Sequence, residues 1–263
     1  MYDERMIALL AASIFVSSVP ERIVLTWYDD PATTAAITWR TTNNTGTHQA
    51  EVAIAKADPR FVQNAKSTKA STQSLLLPEN PAYFHTARLK DLTPDTQYAY
   101  RVGNGEVWSE WVHFKTASAE PKPFKFIYFG DAQNDIKSLW SRTVRQAFRD
   151  APFADFMLHA GDLVNLPHND SEWDEWFYAG GWVHATIPCL AIPGNHEYGG
   201  FGGGPRRLAV QWQPQFEFPR NGIKGLPETN WYVDFQGARI IGLDTNALLA
   251  EQAAWLEKVL EDN

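Results

Sequence analysis

The chain has 263 residues, of which 44% are hydrophobic and 21% are charged. This composition is typical of a globular protein with a packed core and argues against a disordered chain. The formal net charge of −8 argues against general nucleic-acid binding, which requires a basic surface. An anionic ligand would therefore have to be attracted by something local, such as a metal ion.

Residues 1–19 have the pattern of a secretory signal peptide. A charged start that includes Arg5 precedes an apolar run from Met6 to Val16, and small residues follow. Because this run is too short for a comfortable membrane span, we expect no stable membrane insertion and a secreted or periplasmic protein. A buried first strand or helix remains the alternative. Cys189 is the only cysteine, so cysteine usage leaves the compartment open.

Residues 20–117 have the pattern of antiparallel strands. Apolar and polar residues alternate in "RIVLTWY", "AAITWRT", "AEVAIAK", "YFHTARL", "TQYAYRVG" and "EWVHFKT", with turn-forming residues between them. This rhythm predicts an all-β sandwich. The stretch "LKDLTPDTQYAYRVG" resembles fibronectin type III domains, so we expect a fold of that kind. Residues 118–123 contain two prolines among small residues, which indicates a linker.

In residues 124–263 the apolar residues recur with a different spacing from that of the first half, which predicts an α/β domain. "FKFIYFGD" and "FADFMLHAGD" contain the short apolar runs expected of strands that are covered on both faces. Helical spacing follows from residue 136 to 148, with Asn134 or Asp135 as the expected cap, and recurs in "SEWDEWF" and "LAEQAAWLEKVLED". "PCLAI" and "NWYVDFQGARIIGLDTN" are strand-like. Alternation of strands and helices predicts right-handed crossovers and a parallel sheet.

Three apolar runs end in similar polar motifs, namely "YFGDAQ", "LHAGDLVN" and "AIPGNHE". In a parallel sheet these ends lie along the carboxyl edge, so we expect Asp131, Asp162 and Asn195 to converge there. Carboxylate, amide and imidazole groups are ligands for divalent and trivalent metals. Two metals about 3.5–4 Å apart can clamp a phosphoryl group, and a carboxylate shared by both would hold them at that distance. Asp162, on the middle strand, is the candidate for that shared position.

The order Gly-Asp, Gly-Asp, Gly-Asn-His-Glu resembles the calcineurin-like metallophosphoesterase superfamily. With the preceding sandwich, the chain is similar to purple acid phosphatase-type enzymes, which have an all-β domain followed by an α/β metallophosphoesterase domain. The resemblance implies that Asp131 binds the first metal, that Asp162 bridges both metals and that Asn195 binds the second. It implies that His196 lies beside the substrate phosphate and stabilises charge or protonates the leaving group. It further implies a phosphate ester substrate, two metal ions (Fe, Mn or Zn) and a metal-bound hydroxide as nucleophile.

Four further candidate residues depart from the family pattern or lie near it. Asn165 stands where purple enzymes carry a tyrosine that binds ferric iron, so we expect ferric iron to be disfavoured. Gln133 stands where many superfamily members have a metal-binding histidine, and we expect it to hydrogen-bond a metal-bound water or the phosphate. Arg206 and Arg207 follow a glycine-rich loop beside His196. These arginines are either phosphate ligands or solvated surface groups.

The end of the chain also departs from the family pattern. The family completes its metal centre with later histidines, whereas the last histidine here is His196. "QAAWLEKVLEDN" resembles the helix that precedes the first of those histidines. We therefore expect a truncated catalytic domain, weak metal binding and slow turnover. The alternative is a non-catalytic module in which the fibronectin-like domain binds a surface, a glycan or a protein.

Four other polar residues each have at least one interpretation that needs no catalysis. His159 alternates with the inward residues of its strand, so we expect it to hydrogen-bond in the interior. His184 lies near a predicted helix end, where an imidazolium is favoured electrostatically. Asp244 follows a strand and is interpreted as a turn or supporting residue near the site. His168 is interpreted as a substrate contact or a solvated loop residue.

Overall fold

The computed structural model describes residues 19–77, 81–200 and 204–261. Within these ranges no helix is both long enough and apolar enough to cross a membrane. The predicted leader lies outside the described residues except for Val19, so export remains a prediction.

The first half is a sandwich of two four-stranded antiparallel sheets. One sheet has the strand order β1-β2-β6-β5 and the other has the order β4-β3-β7-β8. The strands are β1 (Glu21–Thr26), β2 (Ala35–Thr41), β3 (Gln49–Ile54), β4 (Lys66–Lys69), β5 (Ser71–Leu76), β6 (Pro81–Leu89), β7 (Gln97–Gly103) and β8 (Val112–Lys115). A 3₁₀ helix at Pro59–Asn64 connects β3 to β4.

The sandwich forms because the inward residues of both sheets bury one apolar cluster. Ile37 and Trp39 from the first sheet lie in the same core as Tyr100, Val102 and Phe114 from the second. This confirms the predicted all-β domain. The sequence missed β4 and β5, because their residues are polar and mostly exposed at the sheet edges and show no apolar alternation.

The second half contains the predicted parallel sheet, with the order β11-β10-β9. Its strands are β9 (Phe126–Phe129), β10 (Phe156–His159) and β11 (Cys189–Ala191). A π-helical turn (Ile136–Trp140) leads into α1 (Ser141–Asp150) between β9 and β10, and α2 (Asp170–Gly180) and α3 (Trp182–Thr186) lie between β10 and β11. Asp135 occupies the N-cap position, as one of the two predicted caps, but it has left-handed backbone angles and its side chain makes no capping bond.

Short elements complete the second half. A small hairpin pairs β12 (Tyr198–Gly199) with β13 (Arg207–Leu208) and precedes α4 (Trp212–Gln215). The strand-like stretch near residue 235 is a hairpin of β14 (Trp231–Phe235) and β15 (Ala238–Gly242). Its two turn residues, Gln236 and Gly237, both have positive φ, as tight hairpins require. The last helix is α5 (Leu249–Glu261).

The two halves pack against each other through a shared core. Val24 and Trp27 of the first half belong to the same buried cluster as Phe156 and Trp173 of the second. Trp27 stacks on Phe235, with ring centroids 5.0 Å apart. The position of the parallel sheet is therefore fixed partly by the sandwich.

Candidate metal centre

The three polar motifs meet at one edge of the parallel sheet. Phe129, His159 and Ala191 are register partners at the ends of β9, β10 and β11, so the strands end level with one another. The amide N–H of Asp131 bonds to the carbonyl oxygen of Gly161 at 3.3 Å. The amide N–H of His196 bonds to Oδ1 of Asp162 at 2.9 Å. The loops that carry the three predicted metal ligands therefore lie against each other.

Asp131 and Asp162 both have left-handed backbone angles, with φ of 52° and 54°. This conformation is uncommon for residues other than glycine, although Asp tolerates it better than most, and it costs about 1 kcal/mol or more. Such strain persists where the surrounding structure demands a particular side-chain direction, and it concentrates at functional sites. The backbone at both predicted ligands is therefore held in a strained conformation, as is common at functional sites.

Glu197 links the loops of the second and third motifs, and sequence analysis had assigned no role to it. Its side chain is fully buried and accepts bonds from the amide N–H groups of Asp162, Leu163 and Gly194 at 2.7–2.8 Å, and from Val164 at 3.2 Å. Burial raises the pKa of Glu197 to about 7, and these amide bonds oppose the rise. In the sequence, the only signal at Glu197 is its position after "GNH". That position does not predict that its carboxylate binds backbone amides of both the second and the third motif.

His196 is oriented by the loop that follows Asp162. Its Nδ1 lies 2.9 Å from the carbonyl oxygen of Asn165. A carbonyl can only accept, so Nδ1 carries the hydrogen in this contact. Asn165 is in turn fixed by its amide N–H, which bonds to Glu172 at 2.7 Å. Asn165 thus contacts the centre through its backbone, whereas the predicted role concerned its side chain.

Of the three remaining candidates, Gln133 and Arg206 contact residues of the three motifs, whereas Arg207 is an exposed residue of β13. Nε2 of Gln133 donates to Oδ2 of Asp162 at 3.3 Å. Arg206 donates from Nη2 to the carbonyl oxygen of Asn195 at 3.1 Å and to Oδ1 of Asn246 at 3.2 Å, so it lies beside the third motif. Arg207 is an exposed residue of β13. Part of the glycine-rich loop before these arginines lies outside the described residues.

Asp244 supports the third motif from behind. It is fully buried and accepts a 2.5 Å bond from the hydroxyl of Tyr198. It also accepts a bond from the backbone N–H of Asn246, whose side chain donates to the carbonyl oxygen of Pro193 at 3.2 Å. The structure therefore places Asp244 in a supporting network behind the loop of Asn195.

Two histidine interpretations are wrong. His159 is buried, but neither of its ring nitrogens has a hydrogen-bond partner among the described residues. His184 lies in the last turn of α3, as predicted, but it is fully buried and stacks on Trp176 with ring centroids 4.2 Å apart, so it is not solvated. Burial lowers the pKa of His184 to about 3 and that of His159 well below its usual value. Both imidazoles are therefore neutral packing groups.

His168 is exposed, and its Nε2 lies near Gly199 of β12, where it would be 3.0 Å from an added Cβ atom.

The donor groups at this edge suit cations that prefer oxygen ligands. Within the described residues no group of three or more His, Cys, Asp or Glu side chains is arranged to hold a metal. The loops after the strands instead carry two carboxylates, Asp131 and Asp162, and two amides, Gln133 and Asn195. The amide of Gln133 contacts Asp162. Oε1 of Gln133 is buried without a hydrogen-bond partner in the described structure. An acceptor left open next to a carboxylate fits a bound cation.

Comparison with known families agrees with this fold. Residues 124–262 match the family described as calcineurin-like phosphoesterase, and residues 20–116 match the family of purple acid phosphatase N-terminal domains. The chain therefore belongs to the calcineurin-like phosphoesterase family and carries a purple acid phosphatase-type N-terminal domain.

Several known proteins are similar over part of their length. Acid phosphatase type 7 of Homo sapiens is 26% identical over 93% of this chain and 55% of its own. That of Danio rerio is 30% identical over 68% of this chain and 41% of its own. "Probable inactive purple acid phosphatase 27" of Arabidopsis thaliana is 30% identical over 53% of this chain and 27% of its own. The chain thus spans at most about half the length of these relatives.

Solved structures share the fold. Purple acid phosphatase PPD1 from yellow lupin seeds superposes with a TM-score of 0.75 over 94% of this chain and 49% of its own, at 21% identity. PhoD superposes with a TM-score of 0.59 over 87% of this chain and 52% of its own, at 13% identity. At these identities the likeness concerns the fold alone, and it confirms the predicted order of a β-sandwich followed by an α/β domain.

Proposed function

We propose that this protein hydrolyses phosphate esters with divalent cations held at the ends of β9, β10 and β11. The observation that supports this most is the convergence of the loops carrying Asp131, Asp162 and Asn195, next to an oriented His196. Cations bound there in a pair would supply an activated water and neutralise charge on the phosphate. Asp162, whose backbone and side chain contact both neighbouring loops, is the ligand proposed to be shared.

His196 is proposed to act on the substrate through Nε2. Its Nδ1–H donates to the carbonyl oxygen of Asn165, which fixes the ring plane, and Nε2 is the nitrogen proposed to face a phosphate oxygen or the leaving group. A positioned imidazole can donate a proton to a leaving oxygen or stabilise developing charge. Glu172 contributes indirectly, because it fixes the backbone of Asn165.

Arg206 is proposed to bind the substrate phosphate. Its guanidinium is exposed and is held near the third motif by the carbonyl oxygen of Asn195. A guanidinium matches the geometry of phosphate oxygens, and a positive group beside the centre would offset the overall charge of −8 for an anionic substrate. Arg207 lies one residue further on and is not needed for this role.

The test is hydrolysis of p-nitrophenyl phosphate at high protein concentration, with Mn²⁺ or with EDTA. We expect hydrolysis that requires the cation and falls about 100-fold or more in Asp162→Ala. Asp150→Ala, at the exposed end of α1, is the matched control and should leave the rate unchanged. Equal rates in EDTA, or an Asp162→Ala variant as active as the parent, would contradict the proposal.

A non-catalytic binding module is the second candidate. Its support is that no three-membered metal-binding group of acidic, His or Cys side chains occurs in the described chain, and that several relatives are named as probable inactive phosphatases. In that case the binding surface would lie on the sandwich. Arg101 there lies 4.2 Å above the half-buried ring of Trp108 and 4.9 Å above that of Trp111. Cation binding without any hydrolysis would favour this candidate.

A further inference from the structure

An apolar cavity of about 460 Å³ lies beside the third motif. Tyr198, two residues after His196, forms part of its lining. The other walls come mainly from β13 and the segment after it, from the loop before β14 and from the loop after β15. Their apolar side chains include Leu208, Val210, Leu226, Pro227, Ala247 and Leu248. A concave, mostly apolar space of this size is typical of sites for small organic ligands.

Two of the lining side chains leave apolar surface open to solvent. Val210 is 56% exposed and Leu248 is 41% exposed. Leu248 also has a φ of 51°, a left-handed conformation that is uncommon for leucine and costs about 1 kcal/mol or more. Its carbonyl oxygen accepts from the amide N–H of Gln252 at 3.0 Å, which fixes this backbone at the start of α5. Strain of this kind concentrates at ligand sites, so both features fit a wall that a ligand covers.

A cationic side chain connects this cavity to the third motif. Cζ of Arg206 lies 5.6 Å from the centroid of the Tyr198 ring. The same guanidinium donates to the carbonyl oxygen of Asn195 and to Oδ1 of Asn246. Asn246 directly precedes Ala247, which lines the cavity. The arginine therefore contacts both the third motif and a wall of the cavity.

A positive group beside an apolar cavity suits a ligand with a phosphate at one end and an apolar group at the other. The guanidinium of Arg206 matches the geometry of phosphate oxygens. An apolar group in the cavity gains free energy roughly in proportion to the apolar area removed from water. A small polar alcohol gains little there, because it covers little of the apolar surface of Val210 and Leu248.

We propose that this cavity binds the alcohol or phenol part of the substrate, and that the protein prefers phosphate esters of large apolar alcohols or phenols to those of small polar ones. Arg206 holds the phosphate end, while Tyr198, Val210 and Leu248 contact the apolar end. This inference rests on the proposed function and deepens it, because it names the substrate class and the residues that select it.

The test measures the binding of phosphonates, which are not hydrolysed, by isothermal titration calorimetry in the presence of Mn²⁺. Naphthylmethylphosphonate carries a large apolar ring system, whereas methylphosphonate carries only a methyl group. We expect the parent to bind the naphthyl compound about 30-fold or more tighter, because the cavity removes its rings from water. Naphthylmethanol, which lacks the phosphorus group, should bind more weakly than naphthylmethylphosphonate.

Two variants assign this preference to the cavity. Leu248→Asn removes the apolar side chain, and asparagine tolerates a left-handed backbone, so the variant should fold. We expect its preference for naphthylmethylphosphonate to fall about 10-fold, with unchanged affinity for methylphosphonate. Val210→Asn, at the second exposed position, should lower the preference in the same way. Leu76→Asn is the matched control, because Leu76 is 90% exposed on β5, and it should keep the preference of the parent.

Thermal unfolding checks that the variants are folded. Equal affinities of the parent for the two phosphonates, a preference that persists in both cavity variants, or naphthylmethanol binding as tight as that of the phosphonate would overturn the inference. A second copy of the chain is the rival occupant of the cavity. Sedimentation equilibrium should give the same mass for the parent and Leu248→Asn, and a parent dimer that this substitution dissociates would also overturn the inference.

The inference and the proposed function can fail separately. Hydrolysis of p-nitrophenyl phosphate that depends on Asp162, together with equal affinities for the two phosphonates, would leave the function standing and remove the inference. Preferential binding of naphthylmethylphosphonate that depends on Leu248, without hydrolysis of any phosphate ester, would leave the cavity standing as a ligand site and remove the function.

Discussion

At the scale of single residues, the three glycines that open the polar motifs are not equivalent. A Cβ atom built on Gly194 would overlap Oδ1 of Asp162, and one built on Gly161 would overlap the backbone of Gly194. Gly161 also has a φ of 88°. Gly130, in contrast, would meet only the Cβ of Ala160 at 4.0 Å. A Cβ atom is therefore excluded by close neighbours at the second and third motif glycines and is tolerated at the first.

Gly194→Ala tests this difference. The φ of −86° at Gly194 is open to any residue, so the effect is purely steric. We expect a loss of about 1–3 kcal/mol in the free energy of unfolding, because Asp162 must move. Gly130→Ala should stay within about 0.5 kcal/mol of the parent. Urea unfolding measures both, and equal effects of the two variants would show that the close packing of Gly194 on Asp162 is not needed for stability.

At the scale of elements, the sandwich contains a stacked pair of buried imidazoles. His85 on β6 lies between Thr41 of β2 and Thr72 of β5, and its ring nitrogens lie 2.8 Å and 2.9 Å from their hydroxyls. The ring of His48 stacks on it with centroids 3.6 Å apart. Burial, and then the neighbouring His48, lowers the pKa of His85 to about 3, and burial also lowers the pKa of His48.

This pair should make the sandwich sensitive to acid. A histidine whose pKa is lower in the folded state binds its proton more readily in the unfolded chain. The contribution of His85 to stability is therefore complete above about pH 6.5 and is lost progressively as the pH falls towards 3. We expect the free energy of unfolding of His85→Phe to fall less per pH unit than that of the parent. In the parent, His85 alone can contribute at most about 1.4 kcal/mol per pH unit to this fall.

Urea unfolding of both proteins at pH 7, 6, 5 and 4 provides the measurement. His113→Phe is the control, because that histidine is exposed on β8. An identical pH slope for parent and His85→Phe would show that the buried pair has no part in acid sensitivity.

At the scale of the whole molecule, a buried ion pair joins the two halves. Arg22 on β1 donates from Nη1 to Oδ1 of Asp170, the first residue of α2, at 2.9 Å. Only 3% of the Arg22 side chain is exposed. Arg40 on β2 bonds to the other carboxylate oxygen of Asp170, also at 2.9 Å. Because α2 follows the loop of the second motif, the sandwich contacts the helix that positions that loop.

Asp170→Asn should destabilise the molecule strongly. It leaves the buried Arg22 without its main counter-ion, and breaking a buried pair costs about 3–5 kcal/mol. Asp58→Asn weakens a pair with Arg60 whose side chains are 45% and 76% exposed, and should have a much smaller effect because solvent screens this pair. Calorimetric unfolding compares the two, and a similar small effect for both would mean that this ion pair does not stabilise the contact between the halves.

The sequence by itself determined the features whose signals are local. Alternating residues predicted the sandwich strands, and short apolar runs ending in Gly-Asp or Gly-Asn predicted the parallel strands and the convergence of Asp131, Asp162 and Asn195. These features can be predicted because the strand period and the turn residues are set by residues close together in the sequence. Even so, polar edge strands such as β5 carry no such signal and were missed.

Only the tertiary structure decided the features that depend on burial and on partners distant in the chain. The carboxylate of Glu197 accepts hydrogen bonds from amides of the Asp162 loop, which lies about 35 positions away in the chain. No local sequence pattern predicts that contact. His184 is neutral because Trp176 covers it, although its position in the sequence suggested a charged helix end. The open oxygen of Gln133 likewise exists only because folding places its amide nitrogen against Asp162. In each case the free energy of a polar group depends on its burial and on its hydrogen-bond partners. Both are established only when the chain folds.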